Sequence, residues 1–590
     1  MRDRLLVRHF LNRFLEHDLV SPNADRHETL SIAGGAVIAV SLFISVLTAL
    51  QYQFDNFMPP GIASVRAVDD RFMFVSASML VMALLAVALW DALALDARDA
   101  AVLGVLPVPR SAIVRTKFIA VALVAAGTDL AWNLAPILLR LASLPLKLSV
   151  GFKGALWLTM AQAVVTLAAG AFGFLSVLAL RESLAALLGQ ERFRSISSAV
   201  QAALLVAVVS ALLLLPAGSR SVERTWMFRH PATARLLPPV WFVGLHETMA
   251  GTVIDRLPRT RPATYLVAME RDATSLYRSL WPVYHELSRV AIVSLVFVTI
   301  LAVAACAWNS RRLPAPAVRR SRRASRLTFA WKWTVARLLA RSPLQRAGFW
   351  FTLQTLPRRV THRAVLASGL AVGLALMVVT VQTQLIGAHP DMASVPLSIL
   401  AAQPLVLACL LTGFRRAVQL PAELRASGTF SLAWSGDRRP YISGVKRAGL
   451  VAIAAPTLAA LSVWHSSVIG VRAAVLHFGT GVAVSTLLIE LLFLGYPRLP
   501  LVSAYVPSAD LKSRGPAYVA AVLLASYLLA LIERSALATA TSLYMVMLSI
   551  ALLAISAAVS MADRSREPSA SVLDLDEEVP LPTQRLNLAG

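Results

Sequence analysis

Cysteine is almost absent from this chain: there are two among 590 residues, Cys306 and Cys409. Both fall in apolar stretches, so neither a disulfide framework nor a cysteine-built zinc site is supported. Acidic residues are also scarce, 32 against 56 Lys and Arg, and none occurs between Asn309 and Asp391. Charged residues of both signs make up only 15%, and the mean hydropathy is +0.67, which together exclude an ordinary soluble protein. Several catalytic signatures are missing too. The chain has no GxxxxGK[ST] phosphate loop, no HExxH, no GxSxG and no clustered Cys/His ligands, so it reads as neither a P-loop ATPase nor a self-contained enzyme, and no cofactor is implied. The first 28 residues lack a continuous apolar core, so no cleavable signal peptide is expected.

What the chain does have is long apolar segments. A hydrocarbon core about 30 Å thick needs roughly 20 apolar residues per helix. Six such segments, near 30–50, 72–94, 118–139, 154–180, 196–216 and 290–308, precede a basic stretch at 309–363. Six more follow it, near 364–387, 394–413, 447–466, 473–495, 516–533 and 539–561, with Pro396, Pro404 and Pro456 interrupting the eighth and ninth. The expected fold class is therefore all-α, a polytopic membrane protein of about twelve transmembrane helices in two six-helix units, 30–308 and 364–561.

The basic stretch runs from Asn309 to Arg363 and orients the rest. Lys and Arg beside a bilayer are retained on the cytoplasmic side, so 309–363 reads as a cytoplasmic linker in contact with anionic lipid rather than nucleic acid. Counting spans outward from it places both termini in the cytoplasm. It also places the Arg- or Lys-bearing loops Asp96–Lys117, Arg181–Ser195, Arg415–Arg447 and Pro497–Arg514 inside. The net charge of +24 thus reports topology. Residues 1–29 contain an amphipathic helix with Leu6, Phe10, Leu11, Phe14 and Leu15 on one face, the pattern of a helix lying in the membrane interface. A helix packed on another protein is the alternative. Residues 562–590 form an acidic, proline-containing tail, expected to be disordered and cytoplasmic.

One outside loop is long, 218–289. Within it, Leu236–Ile254 is too apolar for a free loop and too short to cross, which fits a re-entrant or interfacial helix pair with Trp241 and Phe242 at headgroup depth. A small folded external cap is the competing reading. His246 beside Glu247 lies here, and a hydrogen-bonded histidine explains that dipeptide better than a metal ligand or base. Ionisable groups inside spans are costly unless paired or hydrated. Asp129, with Asn133 one turn later, and Glu490 are therefore candidates for a polar translocation path, structural interhelical hydrogen bonds being the alternative.

The inside loop Leu103–Lys117, LGVLPVPRSAIVRTK, gives an apolar turn, a Pro-x-Pro break and a short helix from about Ser111. This run resembles the "LPvsR..I...K" segment that follows the second span in ABC-2-type exporter permeases. In the second half, Leu420–Arg425 and the basic "RAGFWFTLQTL" run at Arg346–Leu356 resemble segments of large fused bacterial permeases of that kind. The resemblance implies an integral permease of the cytoplasmic (inner) membrane, coupled to two copies of a separate ATP-binding subunit. Coupling would pass through Leu106, Pro107, Arg110, Ile113, Arg115 and Lys117, and in the second unit through Pro421, Glu423 and Arg425. A loop that merely reverses the chain explains the same residues. A six-plus-six secondary transporter and a non-transporting scaffold are the other readings, although Asp96–Lys117 lacks the GxxxDRxGRR-like loop of major facilitator carriers.

Overall fold

The computed structural model describes residues 2–15, 35, 37–46, 60–90, 93, 109–148, 152–221, 235–254, 281–311, 341–358, 360–387, 396–422, 438–496, 499–502, 510–538 and 542–566. Among them the regular structure is entirely helical, with no strand. Among the described residues, ten helices are long and apolar enough to cross a membrane, and each coincides with an expected span. At the expected first and fifth spans the apolar helical stretches among the described residues are shorter, Val37–Val46 and Ala199–Leu215, the latter lying within a longer helix. The chain is a polytopic, membrane-type helical protein. The middle of the basic linker, most of the long outside loop and the acidic tail lie outside the described residues.

Two compact units emerge: Met1–Leu204 with Ala211–Val318, and Leu205–Ser210 with Arg319–Gly590. The first contains α1 (Arg2–Leu15), α2 (Pro60–Ala88), α3 (Arg110–Leu148), α4 (Phe152–Leu188), most of α5 (Gln190–Ser221), α6 (Pro238–Ile254) and α7 (Trp281–Arg311). α4 is its centre and packs against α2, α3, α6 and α7. Small residues permit those contacts: a Cβ on Gly173 of α4 would sit 2.2 Å from the Met79 carbonyl oxygen of α2. In bilayers such close backbone approach supplies the van der Waals contact that the hydrophobic effect cannot.

The second unit contains α8 (Pro343–Thr355), α9 (Val360–Gly387), α10 (Leu397–Gln419), α11 (Arg439–Gly449), α12 (Ala455–Ile469), α13 (Val471–Leu492), α14 (Asp510–Ala538) and α15 (Leu543–Arg566). Its centre is α10, the most enclosed of the ten spans, packed against α9, α13 and α14. The prolines that interrupt the sequence pattern do not break these helices. Pro396 caps α10 and Pro404 is carried inside it. Before Pro456 the chain widens into a π-turn, Leu450–Ala454, so α11, the π-turn and α12 make one span, Arg439–Ile469. A π-turn next to a proline makes room for the ring where an α-turn would clash with the preceding carbonyls. Gly470 then reverses the chain into α13 at φ 85°, ψ 155°, a conformation essentially restricted to glycine.

Within each unit, several helix ends that the alternating count assigns to one side are in contact. In the first, the Asn309 amide of α7 donates to the Glu182 carboxylate of α4 at 2.6 Å, and the Trp90 indole after α2 donates to Ser197 of α5 at 2.8 Å. In the second, Lys446 of α11 lies 2.8 Å from Glu490 of α13 and 3.8 Å from Asp563 of α15.

Candidate functional site

Within the expected coupling segment the described residues begin at Pro109. Its carbonyl accepts from the Ala112 and Ile113 amides, and α3 starts at Arg110. The short separate helix anticipated here is instead the first two turns of a continuous 39-residue helix, because no proline follows until Pro136. Ile113 and Ala120 of α3 are buried against Leu6 and Phe10 of α1, and the Lys117 ammonium stands 5.8 Å from the Phe10 ring centroid. The apolar face of α1 therefore packs on α3, at least through Phe10, and Ile113 is not an open contact for a soluble partner. Arg115 is exposed. Leu106 and Pro107 lie outside the described residues, as do the Arg110 side chain and, in the second unit, Glu423 and Arg425. Pro421 follows α10 in a clasp: the Ala422 amide donates to Leu501 at 2.8 Å and the Leu501 amide to Val418 at 2.7 Å.

Asp129 and Asn133 do share a face of α3, directed at α2 and α4. The Asn133 amide donates to Asp129 Oδ1 and to Ser78 Oγ, each at 2.9 Å, and Ser78 donates to the Thr166 carbonyl of α4 at 2.9 Å. Asp129 and Asn133 are 5% and 1% exposed, and Gly170 of α4 leaves the space that the Asp129 carboxylate fills. The cluster is a packed three-helix hydrogen-bond network. Asp129→Asn, which keeps a hydrogen-bonding group of the same shape, is expected to preserve thermal stability. Asp129→Leu should lower it by about 1–3 kcal/mol, since it leaves Asn133 and Ser78 short of a partner. Equal melting temperatures for the two variants in detergent would contradict this.

A third cluster contains His246 and Glu247, read from the sequence as a hydrogen-bonded histidine, together with an arginine that the sequence reading did not connect to them. Helix α6 starts with Pro238 and Pro239, which fit its first turn because their missing N–H groups would have no helical partner there. It is a single helix buried among α2, α4 and α7. Phe242 is 0% exposed in the core of the unit, while Trp241 is half-buried and its indole donates to the Arg235 carbonyl at 2.7 Å. One turn further on, Glu247 forms an ion pair with Arg71 of α2, and His246 Nδ1 lies 3.2 Å from the same carboxylate. All three side chains are buried. The available signal was a glutamate in an otherwise apolar 17-residue helix, which demands a cationic partner; nothing local identified Arg71.

The second unit holds a comparable cluster. His477 Nδ1 of α13 is 2.6 Å from Glu533 of α14, and the His465 ring of α12 meets the His477 ring edge-on, centroids 4.7 Å apart. Gln403 of α10 donates to the His477 carbonyl at 2.8 Å. These four buried side chains tie α10, α12, α13 and α14 together. Among the described residues no group of three or more His, Cys, Asp or Glu is arranged to hold a metal ion. No family model matches the chain, and no curated protein or solved structure is similar to it. What remains is the chemistry of the arrangement. Glu490, the other expected path residue, joins Lys446 and Asp563 at the rim of the second unit, while the interior of each unit carries buried polar groups paired across helices.

Proposed function

We propose that the chain is the membrane permease of an ATP-driven exporter of the ABC-2 kind, seated in the cytoplasmic membrane and driven by a separate ATPase. The observation that carries this is the rigid joint between α1 and the start of α3. Phe10, Ile113 and Lys117 lock the two helices, and α3 continues without a break to Asp129 at the centre of the first unit. A push on the joint therefore reaches the buried network through one helix. Buried apolar anchors dominate protein contacts, and rim charges tune them. Leu5 and Arg115 are both exposed on this joint and supply such an anchor and such a charge.

The test is affinity purification of the full chain from its native membrane, with mass spectrometry for a subunit carrying GxxxxGK[ST]. Recovery of that ATPase is expected with wild type and should fall about tenfold or more with Leu5→Asp combined with Arg115→Glu. Both side chains are exposed, so folding is spared. No ATPase with wild type, or undiminished recovery with the double variant, overturns the proposal. The His465–His477–Glu533 cluster favours a second reading, an ion-coupled carrier, because ionisable groups inside spans mark ion pathways in transporters. That reading needs transport driven by a proton gradient in the absence of ATP.

A further inference from the structure

A cavity of about 630 Å³ opens at the rim of the second unit, between α8, α11, α13 and α15. Its size is that of a small-molecule site. Five cationic side chains line it, Arg341, Arg439, Lys446, Arg447 and Arg564, against two carboxylates, Glu490 and Asp563. Both carboxylates are held by Lys446, at 2.8 and 3.8 Å. Arg341 and Arg564 make no ion pair with a described carboxylate, and both repel Arg447, which Glu490 attracts. The rest of the wall mixes polar side chains, among them Ser342, Ser443 and Thr486, with the apolar Leu450, Ile489 and Phe493. This wall and the guanidinium cluster meet where α13 and α15 reach the ends of their apolar segments, the position at which a membrane-length helix meets lipid headgroups.

Like-charged guanidiniums held together lower their free energy when a multivalent anion enters between them. The planar fork of arginine matches the paired oxygens of a phosphate, and several forks converging suit its multiple oxygens. We propose that this cavity binds a phosphate-bearing group, taken either from an anionic phospholipid whose glycerol and first acyl carbons lie along Leu450 and Phe493, or from a soluble phosphate compound. The site stands independently of the exporter reading and of any ATPase.

The experiment uses the purified full chain in detergent. Its melting temperature is measured against added phosphatidylglycerol, phosphatidylcholine and inorganic phosphate, for wild type, Arg341→Gln with Arg564→Gln, and Arg472→Gln. Arg341 and Arg564 are exposed, so the double variant should fold, and exposed Arg472 lies at the opposite end of α13. Wild type should be stabilised by phosphatidylglycerol and not by phosphatidylcholine. The double variant should need about tenfold more lipid for the same shift, while Arg472→Gln responds as wild type. Stabilisation by inorganic phosphate that the double variant loses, without a lipid effect, assigns the site to a soluble phosphate compound. If the double variant responds to both probes as wild type does, or if Arg472→Gln loses as much, the proposal is overturned.

Discussion

Replacing Glu247 with leucine is expected to destabilise the protein by about 3–5 kcal/mol, because it removes the carboxylate paired with the Arg71 guanidinium in the core of the first unit. The attraction between two buried charges does little more than offset the cost of removing both from water. The damage therefore comes from the partner left behind rather than from the pair itself. It follows that Arg71→Met with Glu247→Leu should recover much of the loss, as the two apolar side chains fill the same space between α2 and α6. His246, 3.2 Å from the same carboxylate, gives a built-in comparison: His246→Gln keeps a hydrogen-bond donor and should cost far less than Glu247→Leu. Thermal unfolding in detergent, with the fraction remaining monodisperse by size exclusion, reads all three. A Glu247→Leu protein as stable as wild type, or a double variant worse than the single one, would show that the pair is not what holds α6 against α2.

Substituting Gly444 by leucine should detach α8 from α11. The two helices cross at Gly348 and Gly444, where a Cβ on Gly348 would lie 2.3 Å from the Tyr441 carbonyl oxygen and one on Gly444 would lie 2.1 Å from that of Gln345. Both obstacles are backbone atoms of the partner helix, so no side-chain rotation relieves them and the helices must separate. Overpacking of this kind costs about 1–3 kcal/mol and sometimes more. Separation also breaks the bond from Gln345 Nε2 to Ser443 Oγ, 2.9 Å long. Ala347→Leu is the control, since Ala347 is exposed on the same helix and the change should stay within about 0.5 kcal/mol. Limited trypsin digestion at Arg346 reads the outcome: cleavage should accelerate several-fold for Gly444→Leu and stay at the wild-type rate for Ala347→Leu. Equal rates for the two variants would mean that the close crossing is not required.

The sequence by itself determined the fold class and the places where helices run. A bilayer-length apolar run must form a helix to satisfy its own backbone, whatever it packs against, so ten of the expected spans coincide with membrane-length helices. The same local logic placed Leu6 and Phe10 on the buried face of α1 and Asp129 with Asn133 on one face of α3. Periodicity reports which residues share a face, and tertiary structure decides what that face meets. The α1 face, read as lying in the membrane interface, meets Ile113, and Phe242, read as a headgroup anchor, is sealed in a core. The prolines that seemed to interrupt the eighth and ninth spans are absorbed, because α10 carries Pro404 and a π-turn widens the helix ahead of Pro456. Glu247 finds Arg71 176 residues earlier, Glu533 finds His477 56 residues earlier, and Glu490 finds Lys446 44 residues earlier. A charge inside a span needs a partner, because an unpaired charge in such surroundings costs several kcal/mol. Only the packing of distant helices could choose which partner, since that choice is made by chain segments with no local influence on one another.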